Sequence, residues 1–389
     1  MMTSRERVIT TLEHKEPDRV PLCFGNHSVY TIIDDKPYGY RALCNYLNIR
    51  DYPEPVTNFV GNVLNVDKRI RDRLHVDFEF VSPGGPKDEI LPNGHLRVPS
   101  LHGIIAVPTG RGKIYTIRDN ATPLRWAKKP KDLDKYRYWS DYSDPVYYRD
   151  IKDKAKLLHE ETDKAIIADD TPVTFGHMYS YLVGFDRWLT DMKLRPEFYH
   201  ALMEKIYEKA EYFTKQFLTE VGDHIDLLLI WDDMGSQTGP LMSIGHFREF
   251  IAPYWKRWID LARKYTKAKL VIHCCGSVYD LYPEFIKMGW DAHQTVQVTA
   301  KDMEPKKLKK EFGDKIAFFG GLDHQKVLPR ETVFGVKKFV RKIIRELGAG
   351  GGYIFSPMHD LGPEIPPENI VTAFDEAYEF GVYPLVQNS

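Results

Sequence analysis

The feature that most restricts the fold of this chain is a regular alternation that begins beyond Pro145. Short apolar runs recur there, and each is followed by a turn containing Gly or Asp and then by an amphipathic helical pattern. Such an alternation is typical of parallel βα units. It predicts strands at residues 165–169, 226–232, 269–275, 291–297, 316–322 and 352–357, and helices at 196–221, 246–265, 333–347 and 367–380.

Two more predicted strands, at residues 19–25 and 77–81, bring their number to eight. Eight parallel strands favour a closed α/β barrel of the (β/α)8 TIM type over an open doubly wound sheet. Nucleotide-binding open sheets are also disfavoured, because no Gly-x-Gly-x-x-Gly follows the first strand and no Gly-Lys-Ser/Thr loop occurs. We therefore predict a single (β/α)8 barrel domain over residues 1–389.

Other segments add to this barrel. A short helix at residues 3–16 forms an N-terminal helical extension, and helical patterns follow at 38–47 and 58–74. Residues 82–122 show short β-like runs broken by Pro-Gly-Gly, Asn93-Gly94 and Gly110-Arg111-Gly112. Because these are turn signals, we predict an inserted β-hairpin segment at 82–122.

The composition excludes several classes of function. A net charge of −1 gives no electrostatic basis for binding nucleic acid. No window approaches the roughly 18 consecutive apolar residues of a membrane span, and the first residues are charged where a secretory signal is apolar. Four cysteines, two of them adjacent, indicate reduced thiols. We expect a soluble cytoplasmic protein with no nucleic-acid or membrane partner.

Polar side chains follow the predicted strands at their carboxyl ends. In a barrel, this is the face at which active sites lie. His273 and Cys275 point the same way, because side chains alternate along a strand, and His359 follows the last strand. Two imidazoles and one thiolate with an open coordination position suit a catalytic zinc site. The alternatives are core packing of His273 and Cys275, and a metal-free His359 that hydrogen-bonds a substrate.

Several motifs resemble the uroporphyrinogen decarboxylase superfamily along essentially the whole chain. They are Arg-Glu-Arg-Val at 5–8, Glu-Pro-Asp-Arg-Val-Pro at 16–21, Asp-Asp-Met-Gly-Ser-Gln at 232–237, His-Cys-Cys-Gly-Ser at 273–277, Phe-Gly-Gly-Leu-Asp-His-Gln at 319–325, Gly-Gly-Tyr at 351–353 and Pro-Pro-Glu-Asn-Ile at 366–370. The decarboxylases bind substrate carboxylates with an arginine-containing stretch after the first strand, where this chain reads Phe-Gly-Asn-His-Ser-Val-Tyr at 24–30. They place a key aspartate where this chain has Ser82-Pro83. The chain is therefore more similar to the corrinoid-linked methyltransferases of the superfamily.

This resemblance also implies a ligand set. The methylcobalamin:coenzyme M methyltransferases hold zinc with a His-x-Cys pair, which His273 and Cys275 match, and with a later Cys, at whose place His359 stands. A Cys-rich, more anionic site suits activation of a thiolate acceptor. Among the methyltransferases, the histidine therefore favours those that act on the methyl donor. The decarboxylases of the superfamily also have a histidine at this place, where it contacts the substrate.

The resulting hypothesis is zinc-dependent O-demethylation. Zn²⁺ bound by His273, Cys275 and His359 polarises the ether oxygen of a methoxylated aromatic compound, and the Co(I) corrinoid (cobalamin) of a partner protein takes the methyl group. We expect catalytic roles for His27, Asp232, Asp233 and His324. These roles include a fourth zinc ligand and a hydrogen-bond donor to the leaving oxygen. Substrate contacts are expected from Phe24, Tyr30 and Gln297.

Two alternatives stay open. One is methyl transfer from methylcobalamin to a thiol such as coenzyme M, or to tetrahydrofolate. The other is a metal-free, decarboxylase-like lyase in which His359 works with an aspartate as an acid/base pair. The expected partners are a corrinoid protein and a small-molecule methyl donor, and the sequence leaves a homodimer open.

Overall fold

The computed structural model describes residues 2–25, 30–111, 114–169 and 172–385. The strands are β1 Phe78–Val81, β2 Glu89–Ile90, β3 Leu96–Val98, β4 Ile104–Pro108, β5 Tyr115–Ile117, β6 Ala165–Asp169, β7 Leu227–Trp231, β8 Lys269–His273, β9 Ala292–Val296, β10 Ala317–Leu322 and β11 Tyr353–Pro357. The helices are α1 Ser4–Leu12, α2 Gly39–Tyr46, α3 Lys68–Arg73, α4 Ile151–Glu161, α5 Gly176–Val183, α6 Phe185–Leu194, α7 Pro196–Val221, α8 Ile244–His246, α9 Ala252–Tyr265, α10 Tyr282–Met288, α11 Pro305–Phe312, α12 Val327–Arg330, α13 Val333–Gly348 and α14 Pro367–Phe380. None of the helices in these ranges is both long and apolar enough to cross a membrane.

Seven of the described strands form one parallel sheet in the order β1-β6-β7-β8-β9-β10-β11. Each strand pairs with the one that follows it in this series, and helices lie between them in the chain. The strands are buried along nearly their whole length, as expected when side chains fill one face and helices cover the other. The predicted α/β fold of the TIM-barrel type is confirmed.

Residues 20–24 close this sheet. Leu22 pairs in parallel with Phe355 of β11, and the N–H of Cys23 donates to the Phe355 carbonyl at 2.9 Å. On the other side, the N–H of Asp77, just before β1, donates to the Leu22 carbonyl at 2.8 Å. The strand predicted at 19–25 is thus reduced to one parallel bridge, at Leu22, and a separate antiparallel bridge from Arg19 to Val382. Pro21 has no N–H to extend the parallel pairing, but the segment occupies the eighth position of the barrel.

A buried ionic cluster stabilises this closure. Asp77 is fully buried, and its carboxylate accepts hydrogen bonds of 2.8 Å from Arg7, Arg19 and the Leu22 N–H. Charge-assisted bonds to several donors compensate for burying the carboxylate. Because Arg7 belongs to α1, the N-terminal helix is tied to the closing seam.

The predicted insertion forms a four-stranded antiparallel sheet in the order β2-β3-β4-β5, within residues 82–122. The helix predicted at 58–74 is wrong over its first half, where Ile33 and Thr57 make bridges with Asn62 and Val63. The observed helix α3 starts only after Asp67, whose carboxylate accepts the N–H of Arg69 at 2.8 Å. An N-cap of this kind sets the helix start.

The strand register creates one layer of inward-facing side chains at the carboxyl ends of the strands. Trp231 of β7 pairs with His273 of β8, which pairs with Gln294 of β9, which pairs with Phe319 of β10. Register partners of a parallel sheet point to the same side. Phe319 stacks on Phe78 of β1 at 6.0 Å between ring centroids, across the barrel, so this side is the interior.

Candidate metal centre at the barrel mouth

His273 is the last residue of β8 and lies in this inward layer. Its Nδ1 contacts Oε1 of Gln294, and its Nε2 lies 3.3 Å from Sγ of Cys275. Since an amide oxygen only accepts hydrogen bonds, Nδ1 carries the proton and Nε2 offers its lone pair toward the thiol. This is the arrangement that a metal-binding imidazole needs.

The turn after β8 separates the two cysteines. Cys274 is fully buried and its Sγ accepts the N–H of Met234 at 3.1 Å, on the side opposite to Cys275. Gly276 then has φ +89°, and a Cβ there would lie 2.5 Å from the carbonyl carbon of Gly235. Glycine is therefore needed to bring Cys275 back toward the mouth.

His359 lies just after β11 and completes a cluster with His273 and Cys275. One ligand atom from each of these residues lies within 4.8 Å of the others. Two ligands at about 2.0 and 2.3 Å from one tetrahedral zinc ion are about 3.5 Å apart, close to the observed 3.3 Å between His273 Nε2 and Cys275 Sγ. The donor atoms and spacing fit a zinc ion, although the ligand role stays a prediction.

Two carboxylates flank the cluster. Nδ1 of His359 accepts the N–H of Asp360 at 2.8 Å and lies 3.2 Å from its Oδ2. Asp360 is itself held by the N–H of Thr31 at 3.1 Å and by Nδ2 of Asn62 at 2.6 Å. With Nδ1 accepting this bond, the neutral ring carries its proton at Nε2, so His359 binds a metal through Nε2 only when that proton is released or moves to Nδ1, where it faces Oδ2 of Asp360.

Asp233 flanks the other side. Its Oδ1 accepts the N–H of Cys275 at 2.6 Å and lies 3.6 Å from Nε2 of His273. Burial opposes ionisation, but His177, His273 and His359 lower the pKa of Asp233 below its ordinary value. Burial and the Asp233 carboxylate raise the pKa of the Cys275 thiol well above its ordinary value. A thiol so placed ionises readily only beside a cation, which is consistent with a metal centre.

His324 lies next to this cluster, with its ring centroid 6.1 Å from that of His359. Burial and the neighbouring His359 lower the pKa of His324 to about 4, so the ring is neutral near pH 7. Its Nδ1 is buried and has no hydrogen-bond partner among the residues that the structure describes. A neutral imidazole with an unused nitrogen is available to a ligand in the mouth.

Residues 129–380, more than half of the chain, match the family model described as Uroporphyrinogen decarboxylase (URO-D). The chain belongs to the uroporphyrinogen decarboxylase family. This confirms the resemblance seen in the sequence motifs.

Curated relatives of this family member carry the name uroporphyrinogen decarboxylase. One from Nitratiruptor sp. is 25% identical over 367 residues, which cover 90% of this chain and 95% of the relative. One from Rickettsia felis is 29% identical over 289 residues, which cover 71% and 77%. A solved structure described as a methyltransferase from Methanosarcina mazei superposes with a TM-score of 0.61 at 16% identity, covering 98% and 99% of the two chains. At that identity the likeness shows a shared fold.

The side chain of Asp232 supports the start of helix α5. Asp232 is fully buried, and its carboxylate accepts the N–H groups of Gly176 and His177 at 3.0 and 2.9 Å and Nε1 of Trp255 at 2.9 Å. These donors belong to the start of α5 and to α9. Asp232 therefore caps α5, and its bonds do not favour the direct catalytic role predicted for it.

The predicted substrate-contacting residues occupy three different environments. Phe24 is fully buried against Phe374 of α14, at 5.8 Å between ring centroids, so its position fits core packing between barrel and helix. Tyr30 stacks on Phe319 inside the barrel at 5.5 Å. Gln297 is buried, and its Oε1 accepts the N–H of Gly276 at 2.8 Å, so it supports the ligand turn. His27 lies outside the described residues.

Two residues of the site were missed from the sequence. Gln294 lies within a strand, where a polar residue gives no signal unless its partner His273 is known. His177 lies in the first turn of α5, beyond the predicted strand end at residue 169, and its ring lies 5.1 Å from that of Trp231. A search that included the first helical turns would have found it, since these turns also face the mouth.

Proposed function

We propose that this family member is a zinc-dependent methyltransferase that removes the methyl group of an O-methyl donor, a methoxylated aromatic compound, and passes it to the Co(I) corrinoid of a partner protein. The observation that carries the proposal is the convergence of His273, Cys275 and His359, which come from distant parts of the chain, at one barrel mouth. The mixed N/S donor set and the fixed imidazoles support a zinc ion there.

Zinc bound by these residues would act as a Lewis acid on the donor oxygen, which is otherwise a poor leaving group. The protein's own groups prepare the site. Gln294 holds His273 with Nε2 free for a metal, and Asp360 fixes the ring of His359, whose Nε2 would release its proton when a metal binds. The neutral His324 beside His359 is suited to donate a hydrogen bond to the oxygen that loses its methyl group.

Aromatic side chains support a donor with a ring. Tyr30, Phe80 and Phe319 pack together inside the barrel, with ring centroids 6.1 Å apart for Tyr30 and Phe80. Trp231 lies next to His273 in the inward layer. Trp231 is partly exposed, so its flat apolar face is available to stack on an arene, whereas Tyr30, Phe80 and Phe319 are buried against one another.

The names of the relatives favour a second candidate, decarboxylation of uroporphyrinogen. Against this, residues 24–30 lack arginine, and a polycarboxylate substrate needs cationic partners when it is buried. Transfer to a thiol is disfavoured because a histidine, His359, stands where the thiol-activating members have a cysteine.

The first test is metal content. Purified protein is expected to contain about one zinc per chain, to lose it in Cys275→Ala, and to keep it in Cys274→Ala, whose thiol lies on the opposite side of the strand. Zinc-free wild type, or loss of zinc from both variants alike, would contradict the metal centre.

The second test is the reaction. Wild type incubated with a methoxyarene and reduced free cobalamin is expected to form methylcobalamin and the phenol without any thiol, and Cys275→Ala is expected to form neither. Release of CO₂ from uroporphyrinogen, with no methylcobalamin from any methoxyarene, would replace the proposal with the decarboxylase alternative.

A further inference from the structure

His177 connects the helix layer to the candidate metal centre through Asp233. It lies in the first turn of α5, and its side chain is 17% exposed. The backbone N–H of His177 donates to Asp232 at 2.9 Å, and its ring contacts those of Trp231 at 5.1 Å and Tyr181 at 5.5 Å between centroids. The imidazole is therefore held rigidly at the mouth.

The two ring nitrogens of His177 face different parts of Asp233. The backbone N–H of Asp233 donates to Nδ1 at 3.0 Å, and Nε2 lies 3.5 Å from Oδ2 of Asp233. With Nδ1 accepting, the neutral ring carries its proton at Nε2, and the charged ring also carries one there. In both of these states an N–H group faces Oδ2. Nδ1 also lies 3.3 Å from Oδ1 of Asp232, but a neutral ring protonated at Nδ1 would lose the bond that Nδ1 accepts from the Asp233 N–H.

The other oxygen of Asp233 faces the candidate ligands. Oδ1 accepts the N–H of Cys275 at 2.6 Å and lies 3.6 Å from Nε2 of His273. If nothing held Oδ2, the carboxylate would be free to turn about its last torsion angle, which has a broad energy well. The contact with His177 at Oδ2 and the Cys275 N–H at Oδ1 together set the carboxylate plane, so losing the first leaves only one oxygen held.

We propose that His177 is a positioning residue of the metal centre: it fixes Oδ2 of Asp233 so that Oδ1 keeps Cys275 and His273 in their ligand geometry. This inference rests on the proposed zinc site. Groups that contact a metal ligand directly typically change the metal affinity 10- to 100-fold when they are lost. Asp233 is such a group, and His177 lies one contact further out and acts through it.

The test compares His177→Phe, which keeps the ring contacts but has no N–H, with His177→Gln, whose amide places an N–H near the position of Nε2. Zn²⁺ affinity is measured by competition with a chromophoric chelator, and the visible absorption spectrum of the Co²⁺-substituted protein reports ligand geometry. We expect His177→Phe to bind Zn²⁺ about 10-fold more weakly with a changed Co²⁺ spectrum, the lower end of the range for direct partners of a ligand. His177→Gln is expected to stay within about threefold of wild type with the same spectrum.

His200→Phe is the matched control, because His200 also stacks on an aromatic ring, Phe250 at 5.0 Å, but lies on α7. Its Zn²⁺ affinity is expected to equal that of wild type. If His177→Phe does not fold, His177→Ala serves instead in the wild-type and Asp233→Ala backgrounds. It is expected to weaken Zn²⁺ binding about 10-fold in the first and by less than about threefold in the second, where Asp233 is gone.

The positioning role would be overturned if His177→Phe had the Zn²⁺ affinity and the Co²⁺ spectrum of the wild type. It would also be overturned if His177→Gln bound Zn²⁺ as weakly as His177→Phe. A full additional loss in the Asp233→Ala background would also overturn it. If the wild-type protein bound no stoichiometric Zn²⁺, both this inference and the proposed function would fail. If the wild type bound Zn²⁺ tightly and substitutions of His177 did not change that affinity, only this inference would be refuted.

Discussion

Replacing Gln294 by leucine tests whether the orientation of His273 matters for metal binding. In the native site, Oε1 of Gln294 accepts the Nδ1–H of His273, and both side chains are buried. Leucine has a similar volume but cannot accept a hydrogen bond. The proton of His273 is then free to move to Nε2, the nitrogen that faces Cys275, and a protonated nitrogen cannot bind a metal.

The structure sets the expected size of this effect. Losing the acceptor strands a buried Nδ1–H, which costs about 1–3 kcal/mol. However, Nε2 of Gln294 is buried and unpartnered among the described residues, so removing the amide relieves a comparable penalty. The stability of the metal-free protein is therefore expected to change by less than about 1 kcal/mol. Zn²⁺ affinity is expected to fall about 10- to 100-fold, or about 1.4–2.8 kcal/mol.

Two measurements separate these expectations. Urea unfolding of the chelator-treated protein gives the metal-free stability, and competition with a chromophoric chelator gives the Zn²⁺ dissociation constant. Asn369→Leu is the control, because Asn369 is also buried but its amide donates to the carbonyls of Leu328 and Glu331 at 2.8 and 2.9 Å. It is expected to lower stability and leave Zn²⁺ affinity unchanged. A Gln294→Leu protein with a dissociation constant within twofold of wild type would refute the reasoning.

Two further predictions concern stability. Asp77→Asn removes the buried charge at the closing seam of the barrel, which takes a carboxylate from Arg19 and leaves Arg7 with Asp18 alone, so urea unfolding is expected to show a loss of about 1.5–3 kcal/mol. Asp375→Asn, in an ion pair that is one-third exposed, is expected to lose less than about 1 kcal/mol, and equal losses would contradict the role of the seam. His102 is buried, and burial and then Lys209 lower its pKa to about 3. Because the unfolded chain binds this proton near pH 6.5 and the folded chain does not, stability falls as the pH drops from 6.5 toward 3, by about 2 kcal/mol between pH 7 and pH 5. In His102→Asn this part of the slope is expected to disappear, and an unchanged slope in urea unfolding would contradict the assignment.

The sequence by itself determined the order of the elements and the place of the chemistry. Alternating apolar runs and helical patterns specify βα units locally, without reference to distant residues. Strand alternation alone puts His273 and Cys275 on one side and Cys274 on the other, and the structure has this arrangement. In a barrel, the carboxyl ends of all strands meet at one mouth, so His359 was expected there despite its distance along the chain.

Only the tertiary structure decided which polar residues support that mouth. Asp232 and Asp233 are adjacent in sequence, yet one caps α5 and the other contacts the N–H of Cys275. The bridge at Leu22 and the irregular path of residues 58–67 were likewise set by partners elsewhere in the chain. Such choices depend on strand register and on the packing of helix starts against strand ends. These are long-range contacts that no local pattern encodes, whereas the period of a strand or a helix is written into every few residues.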